Sequence, residues 1–274
     1  MERRVGRDTI VVVPCYNEAR RLDLRGFSDF LECCAEASLL FVDDGSRDAT
    51  GTLLDQFAGQ HAGRVIVQRL ARNSGKAEAV RQGMLTAWQQ SPAFVGYWDA
   101  DLATPLEAVS QFRNLLVRRP ELSLVMGSRI ALLGRQIKRR WVRHMAGRAF
   151  ATAASMTLGL AVYDTQCGAK LFRATPCAQS LFEKPFGSRW IFDVEILARL
   201  VAAAGVEQAE QMIYECPLDR WADVGGSRLK PRDFLIAALD LAAIHWRHRR
   251  SGGLSSAASS AAKDATQPSN RKAA

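Results

Sequence analysis

FVGYWDADLATP, residues 94–105, sets an apolar run, Phe94–Trp98, directly against an Asp-Ala-Asp. Four other runs share the pattern of a short apolar stretch: Thr9–Val13 ends at Pro14, Ser38–Val42 at Asp43 and Leu122–Met126 at Gly127, with Arg64–Val67 between them. The runs are uniformly apolar rather than alternating, as expected of strands buried on both faces of a parallel sheet. Between them, Leu53, Leu54 and Phe57 share one helical face, and Val80, Met84 and Trp88 recur every fourth residue. Ser46 or Asp48 is placed to cap the first of these helices. Strand–helix alternation of this kind predicts an α/β sandwich with a mostly parallel central sheet.

In open α/β sheets the ligand sits beyond the carboxyl ends of the strands. Here those ends read PCYNE (14–18), DDGS (43–46) and DAD (99–101). An Asp-X-Asp is often only a solvated turn. At a strand end, however, Asp99 and Asp101 can bind a hard divalent cation and leave coordination positions for diphosphate oxygens and water. Asp43 and Asp44 can accept hydrogen bonds from a base or a ribose. Asn73-Ser-Gly-Lys76 is not a G-x-x-x-x-G-K-[ST] phosphate loop, and there is no G-x-G-x-x-G. These absences weigh against an ATPase and against a Rossmann dehydrogenase.

The chain of 274 residues carries a formal net charge of +9, which suits anionic partners. Its six cysteines lack metal-ligand spacing, so reduced thiols of a cytoplasmic enzyme are expected. The apolar start is too short for a signal peptide, and Ala149–Val162 falls short of a bilayer span. Leu122–Tyr163 contains no Asp or Glu, whereas Arg129, Arg135, Lys138, Arg139, Arg140, Arg143 and Arg148 all lie there. Ile137, Trp141, Met145 and Ala149, widened by Val142, recur at helical spacing. Residues 135–148 therefore read as a basic amphipathic helix suited to the inner face of a membrane. His245–Arg250 offers a second contact. Residues 1–250 are expected to form one catalytic domain ending in a helix, followed by a Ser/Ala-rich tail, 251–274, with the composition of disorder.

PCYNEARRL, VDDGSRDAT, RNSGKAEAVRQGM and DADLATP, in that order, resemble the successive motifs of the inverting family 2 glycosyltransferases of GT-A fold. GSR (127–129), VYDTQCGAKLFRA (162–174), RWIFDVEIL (189–197) and WADVGGSRLKPRDF (221–234) are similar to segments of the dolichyl- and polyprenyl-phosphate glucosyltransferases. The likeness spans roughly residues 8–247. It implies transfer of a hexose, foremost glucose from UDP-glucose, to a lipid phosphate, with Mg or Mn held by Asp99 and Asp101. It places Pro14, Tyr16 and Glu18 in the nucleotide pocket, with Asp43 or Asp44 facing the base and Asn73 and Lys76 on the nucleoside side. Arg129 falls near the diphosphate or the acceptor phosphate, and Ser227 and Lys230 on a loop that covers the donor. Some lipid-phosphate members carry membrane-spanning helices that this sequence lacks.

An alcohol acceptor needs a carboxylate to take its proton, whereas a phosphate monoester, with a second pKa of roughly 6, is largely ionised at neutral pH. Asp164 is the first candidate for an acceptor-side carboxylate and Asp193 the second; Asp193 also fits the start of an amphipathic helix marked by Phe192, Ile196 and Leu200. Arg189 and Trp190 are placed to shape the sugar pocket. A GDP-mannose donor and a soluble acceptor remain the alternatives, and the pattern sets no oligomeric state. A nucleotidyltransferase would show a Gly-rich basic loop after the first strand. A nucleic-acid binder would interleave its basic residues with aromatics, so no nucleic-acid partner is expected.

Overall fold

The computed structural model describes residues 8–138, 141–222 and 236–247. Ser227, Lys230, Arg139, Arg140 and the tail from 251 lie outside the described residues, as do the side chains of Trp141, Val142 and Arg143. The first half alternates β1 (Thr9–Cys15), α1 (Leu24–Cys33), β2 (Ala37–Asp43), α2 (Thr50–Gln60), β3 (Val65–Arg69), α3 (Lys76–Trp88), β4 (Phe94–Trp98), α4 (Glu107–Arg118) and β5 (Leu124–Ser128). There follow β6 (Gln136–Lys138), α5 (Trp141–Leu158), β7 (Ala169–Arg173), α6 (Pro176–Glu183), α7 (Phe192–Ala204), α8 (Val206–Met212), β8 (Ile213–Pro217) and β9 (Arg220–Ala222). A last helix, α9, covers 236–247.

The main sheet has the order β3-β2-β1-β4-β7-β5-β8. β7 runs antiparallel to both β4 and β5, and the remaining pairs are parallel. Helices cover both faces, which explains the uniformly apolar strands. Within β1, Ile10 and Val12 join a core with Val80, Met84, Tyr97 and Phe192, whereas Val11 and Val13 join Phe27, Phe41, Phe57 and Trp98. Chain order reverses at β1, which lies between β2 and β4, so a crevice opens beyond its carboxyl end. All six cysteines are free.

Two local expectations are corrected. Residues 135–148 do not form one helix: 136–138 is a strand, and α5 begins at Trp141. β6 pairs with β9, Ile137 opposite Trp221, while the Gln136 amide donates to the Asp219 carbonyl at 2.8 Å and Arg135 pairs with Asp219. A partner so distant in sequence overrides the local helical period. Nor does Ser46 cap α2: its Oγ accepts the Asn17 amide at 3.0 Å. Asp48 accepts the Thr50 amide at 3.0 Å just ahead of the helix and also holds the Ala19 amide. These polar side chains tie the loop after β1 to the loop after β2.

Gly83 shows how closely α3 lies on the sheet. A Cβ there would fall inside contact distance of Val12 Cγ1 and 2.6 Å from Val42 Cγ2. Replacing a helical glycine by alanine ordinarily gains up to about 1 kcal/mol of propensity. Overpacking against two core strands costs about 1–3 kcal/mol and outweighs that gain. Urea unfolding of Gly83→Ala should therefore show a lower midpoint than the parent; a higher one would contradict this packing.

Candidate active site

The loop after β1 is built by its neighbours. Asn17 adopts φ 52°, a left-handed conformation that Asn tolerates, and its Oδ1 accepts the Arg47 amide at 2.9 Å. The Glu18 amide donates to Thr50 Oγ1 at 2.8 Å, and its buried carboxylate grips Arg21 through both oxygens. Pro14 and Tyr16 stand half-buried beside it. The adjacent acids after β2 divide their work. Asp44 accepts the Ser74 and Gly75 amides at 2.7 and 2.8 Å, fixing the turn before α3. Burial raises its pKa despite those two bonds. Asp43 accepts the Ser46 amide at 2.9 Å with one oxygen, and its other oxygen lies 3.9 Å from Arg69 Nε. Asp43 and Arg69, but not Asp44, border a cleft of about 470 Å³ lined also by Ser46, Arg47, Asp48 and Asn73, a volume suited to a nucleoside.

Beyond β4, the Asp99 amide donates to the Gly168 carbonyl at 3.0 Å, and the Asp99 carboxylate rests directly on Gly168. Lys76, at the start of α3, pairs with Asp99 Oδ1. Partial desolvation works against the charge of Lys76, whose side chain stays exposed, but Asp99, Asp193 and Asp101 outweigh it and raise its pKa. Asp101 Oδ1 accepts the Ala103 amide at 3.1 Å. Burial and the charge of Asp99 raise the Asp101 pKa, against the pull of Lys76 and Arg21. Among the described residues no group of three or more His, Cys, Asp or Glu could hold a metal. A cation at this pair would complete its shell with oxygens from a diphosphate and water. Two hard carboxylates on one strand end fit that role.

The acceptor-side candidates converge on the same corner. Arg129, directly after β5, donates from Nε and Nη2 to Asp164 at 2.6 and 2.7 Å, and its amide to Asp164 Oδ2 at 3.0 Å. Burial opposes the Arg129 charge, and Asp164 more than restores it. Its guanidinium lies 5.3 Å from the Trp221 ring. Asp193, in the first turn of α7, accepts from the fully buried Lys170 and from the Tyr97 hydroxyl, both at 2.5 Å. Burial and Asp193 push the Tyr97 phenol well up. Lys170 also donates to the Thr165 and Cys167 carbonyls at 3.0 and 2.8 Å, and burial raises the Cys167 thiol to about 11. Arg189 lies beside Gly75 and its charge reaches Asp44, on the nucleotide side of the crevice. Ser188 ties that loop to Asp240 of α9 at 2.6 Å.

The model of glycosyl transferase family 2 matches residues 10–180, from β1 into α6. The chain belongs to glycosyl transferase family 2. Among curated relatives of this family 2 transferase, the dolichyl-phosphate beta-glucosyltransferase of Drosophila melanogaster is 33% identical, over 81% of this chain and 69% of the relative. That of Dictyostelium discoideum is 29% identical, over 87% and 74%. Mycobacterium tuberculosis glucosyl-3-phosphoglycerate synthase, crystallised with Mn2+, UDP-glucose and phosphoglyceric acid, superposes with a TM-score of 0.61. It shares 21% identity, covering 89% of this chain and 80% of that one, and establishes the common GT-A fold.

For this glycosyltransferase, several side chains at the site lie outside the residues singled out from sequence. Tyr97 reads as an ordinary member of the apolar run Phe94–Trp98, Lys170 lies unremarked within the segment 162–174, and Arg69 falls two residues beyond the run Arg64–Val67. Arg21 and Gly168 stand within quoted motifs, but only the fold shows that Arg21 neutralises Glu18 and that Gly168 seats Asp99. A Cβ on Gly168 would overlap the Asp99 carboxylate, 2.6 Å from Oδ1 and closer still to Oδ2. Displacing a catalytic group by about 1 Å can cost about 100-fold in rate. Gly168→Ala should therefore lose about 100-fold in turnover while keeping its circular dichroism spectrum. Near-parental turnover would show that Asp99 needs no such seat.

Proposed function

We propose that this transferase moves glucose from UDP-glucose to a polyprenyl- or dolichyl-type phosphate with inversion, using Mg or Mn at Asp99 and Asp101. The names of its relatives support the glucosyl and lipid-phosphate parts. The observation that carries the acceptor reading is that both candidate bases are engaged: Asp164 clasps Arg129 as a bidentate pair, and Asp193 holds Lys170 and Tyr97. Such a site suits a nucleophile that arrives ionised, as a phosphate monoester does with a second pKa of roughly 6.

In this reading the base enters the cleft beside Asp43, and Asn73 and Lys76 face the nucleoside and its phosphates. A divalent cation at Asp99 and Asp101 supplies charge neutralisation for the departing diphosphate. Lys76 adds a positive charge to the same leaving group. Arg129 receives the acceptor phosphate, one oxygen of which attacks the anomeric carbon opposite the bond to the diphosphate. That carbon–oxygen bond breaks, and the electron pair leaves with UDP. No helix among the described residues is long and apolar enough to cross a membrane. The acid-free stretch from Leu122 to Tyr163 exposes Leu132, Leu133 and Met145, a composition suited to an anionic lipid surface.

The test is turnover with polyprenyl phosphate presented in anionic or neutral vesicles, against UDP-glucose, UDP-galactose, UDP-GlcNAc and GDP-mannose. Release of UDP with β-glucosyl lipid, faster on anionic vesicles, is expected. Selective use of GDP-mannose would move the assignment to mannosyl transfer. Turnover of a soluble phosphate but not of the lipid would overturn the lipid acceptor, and equal rates on both vesicle types the membrane face.

A further inference from the structure

Glu215 lies on β8 at the far edge of the sheet, opposite Met126 of β5 and outside every motif that marks the family. Its two carboxylate oxygens accept the backbone amides of consecutive residues, Oε2 from Tyr163 and Oε1 from Asp164, each at 2.7 Å. Charge-assisted bonds to two adjacent amides fix the direction in which the chain leaves that turn. The same turn is gripped from the other side. Arg148 of α5 donates to the Tyr163 carbonyl at 3.1 Å and lies 3.8 Å from the Tyr163 ring centre. Asp164 then projects toward β5, where its oxygens meet Nε, Nη2 and the amide of Arg129. A bidentate carboxylate fixes the plane of a guanidinium, not merely its location.

We propose that Glu215 is a positioning residue for the acceptor: it sets the Tyr163–Asp164 turn, Asp164 sets the plane of the Arg129 guanidinium, and Arg129 meets the acceptor phosphate. The proposal rests on the reading of Arg129 as the acceptor-side cation. It adds a residue that touches neither substrate, and it gives Asp164 the work of orienting a cation in place of taking a proton. The donor side is built separately, from the loops after β1, β2 and β4, so the relay acts on one substrate alone.

Glu215→Gln keeps the shape but turns an NH2 toward one of the two amides. In the full chain, the Arg129 Nε–H signal in 15N NMR, assigned by its loss in Arg129→Lys, should shift and exchange faster with solvent. KM for polyprenyl phosphate should rise about tenfold or more, with UDP-glucose affinity held within about twofold. Combining Glu215→Gln with Arg129→Lys should cost no more than Arg129→Lys alone, as expected of residues acting through one another. An unchanged Arg129 signal with unchanged acceptor KM overturns the relay, and so do losses that multiply in the double variant. A perturbed signal, with acceptor KM unchanged in both Glu215→Gln and Arg129→Lys, overturns instead the assignment of Arg129 to the acceptor. Should Glu215→Gln fail to fold, Asp164→Asn leaves both Glu215 bonds in place. It must show the same acceptor-side loss, and parental acceptor kinetics there overturn the proposal.

Discussion

Asp99 and Asp101 bring two carboxylates into one half-buried corner beyond β4, and their mutual repulsion organises the polar groups around them. Lys76 pairs with Asp99 from the start of α3, and Arg21 reaches the same pair while Glu18 holds it. Arg129 approaches from β5 with its plane fixed by Asp164. Arg21 and Arg129 are themselves anchored by Glu18 and Asp164, whereas Lys76 contacts Asp99 directly. The result is a corner with positive walls and a negative floor. With Lys76 and Arg21 toward the acidic pair, such a corner suits a diphosphate and a divalent cation, and Arg129 forms the wall on the side proposed for the acceptor phosphate.

The topology makes this convergence possible with short reach. Reversal of strand order at β1 sets the ends of β1, β2 and β4 side by side, and these carry the PCYNE, DDGS and DAD segments. Insertion of the antiparallel β7 between β4 and β5 then brings the start of β7 to the end of β4. That is how Gly168 comes to seat Asp99, and how Lys170 comes to lie beneath the site with Asp193 and Tyr97. The buried Lys170–Asp193–Tyr97 group ties β4, β7 and α7 together immediately below the chemistry. It stays close-knit because every charge in it has a partner in a dry interior.

Much of the first half was legible in the sequence. Strands covered on both faces betray themselves as uniform apolar runs, and the runs at 9–13, 38–42 and 94–98 fall on β1, β2 and β4. The run at 122–126 came two residues early, because Leu122 is buried under α4 ahead of the first ladder pair at Leu124. β7, β8 and β9 were less visible. AKLFR carries a lysine and an arginine, and nothing local reveals that Lys170 is satisfied in the interior by Asp193, 23 residues away. The basic stretch at 135–148 kept a helical period while its first part was claimed by a strand some 80 residues on. At the site, residue types at strand ends pointed to the crevice, but the division of work between Asp43 and Asp44, and the bidentate clasp on Asp164, depend on partners that only the fold assembles.

Calorimetric titration of UDP-glucose into the protein, with and without Mn2+, tests the central role of the acidic pair most directly when run on the parent and on Asp101→Ala. The account predicts that Mn2+ tightens UDP-glucose binding to the parent by about tenfold or more and that Asp101→Ala, with its thermal transition retained, loses that gain. Equal affinity with and without metal in the parent, or an undiminished Mn2+ effect in Asp101→Ala, would contradict it.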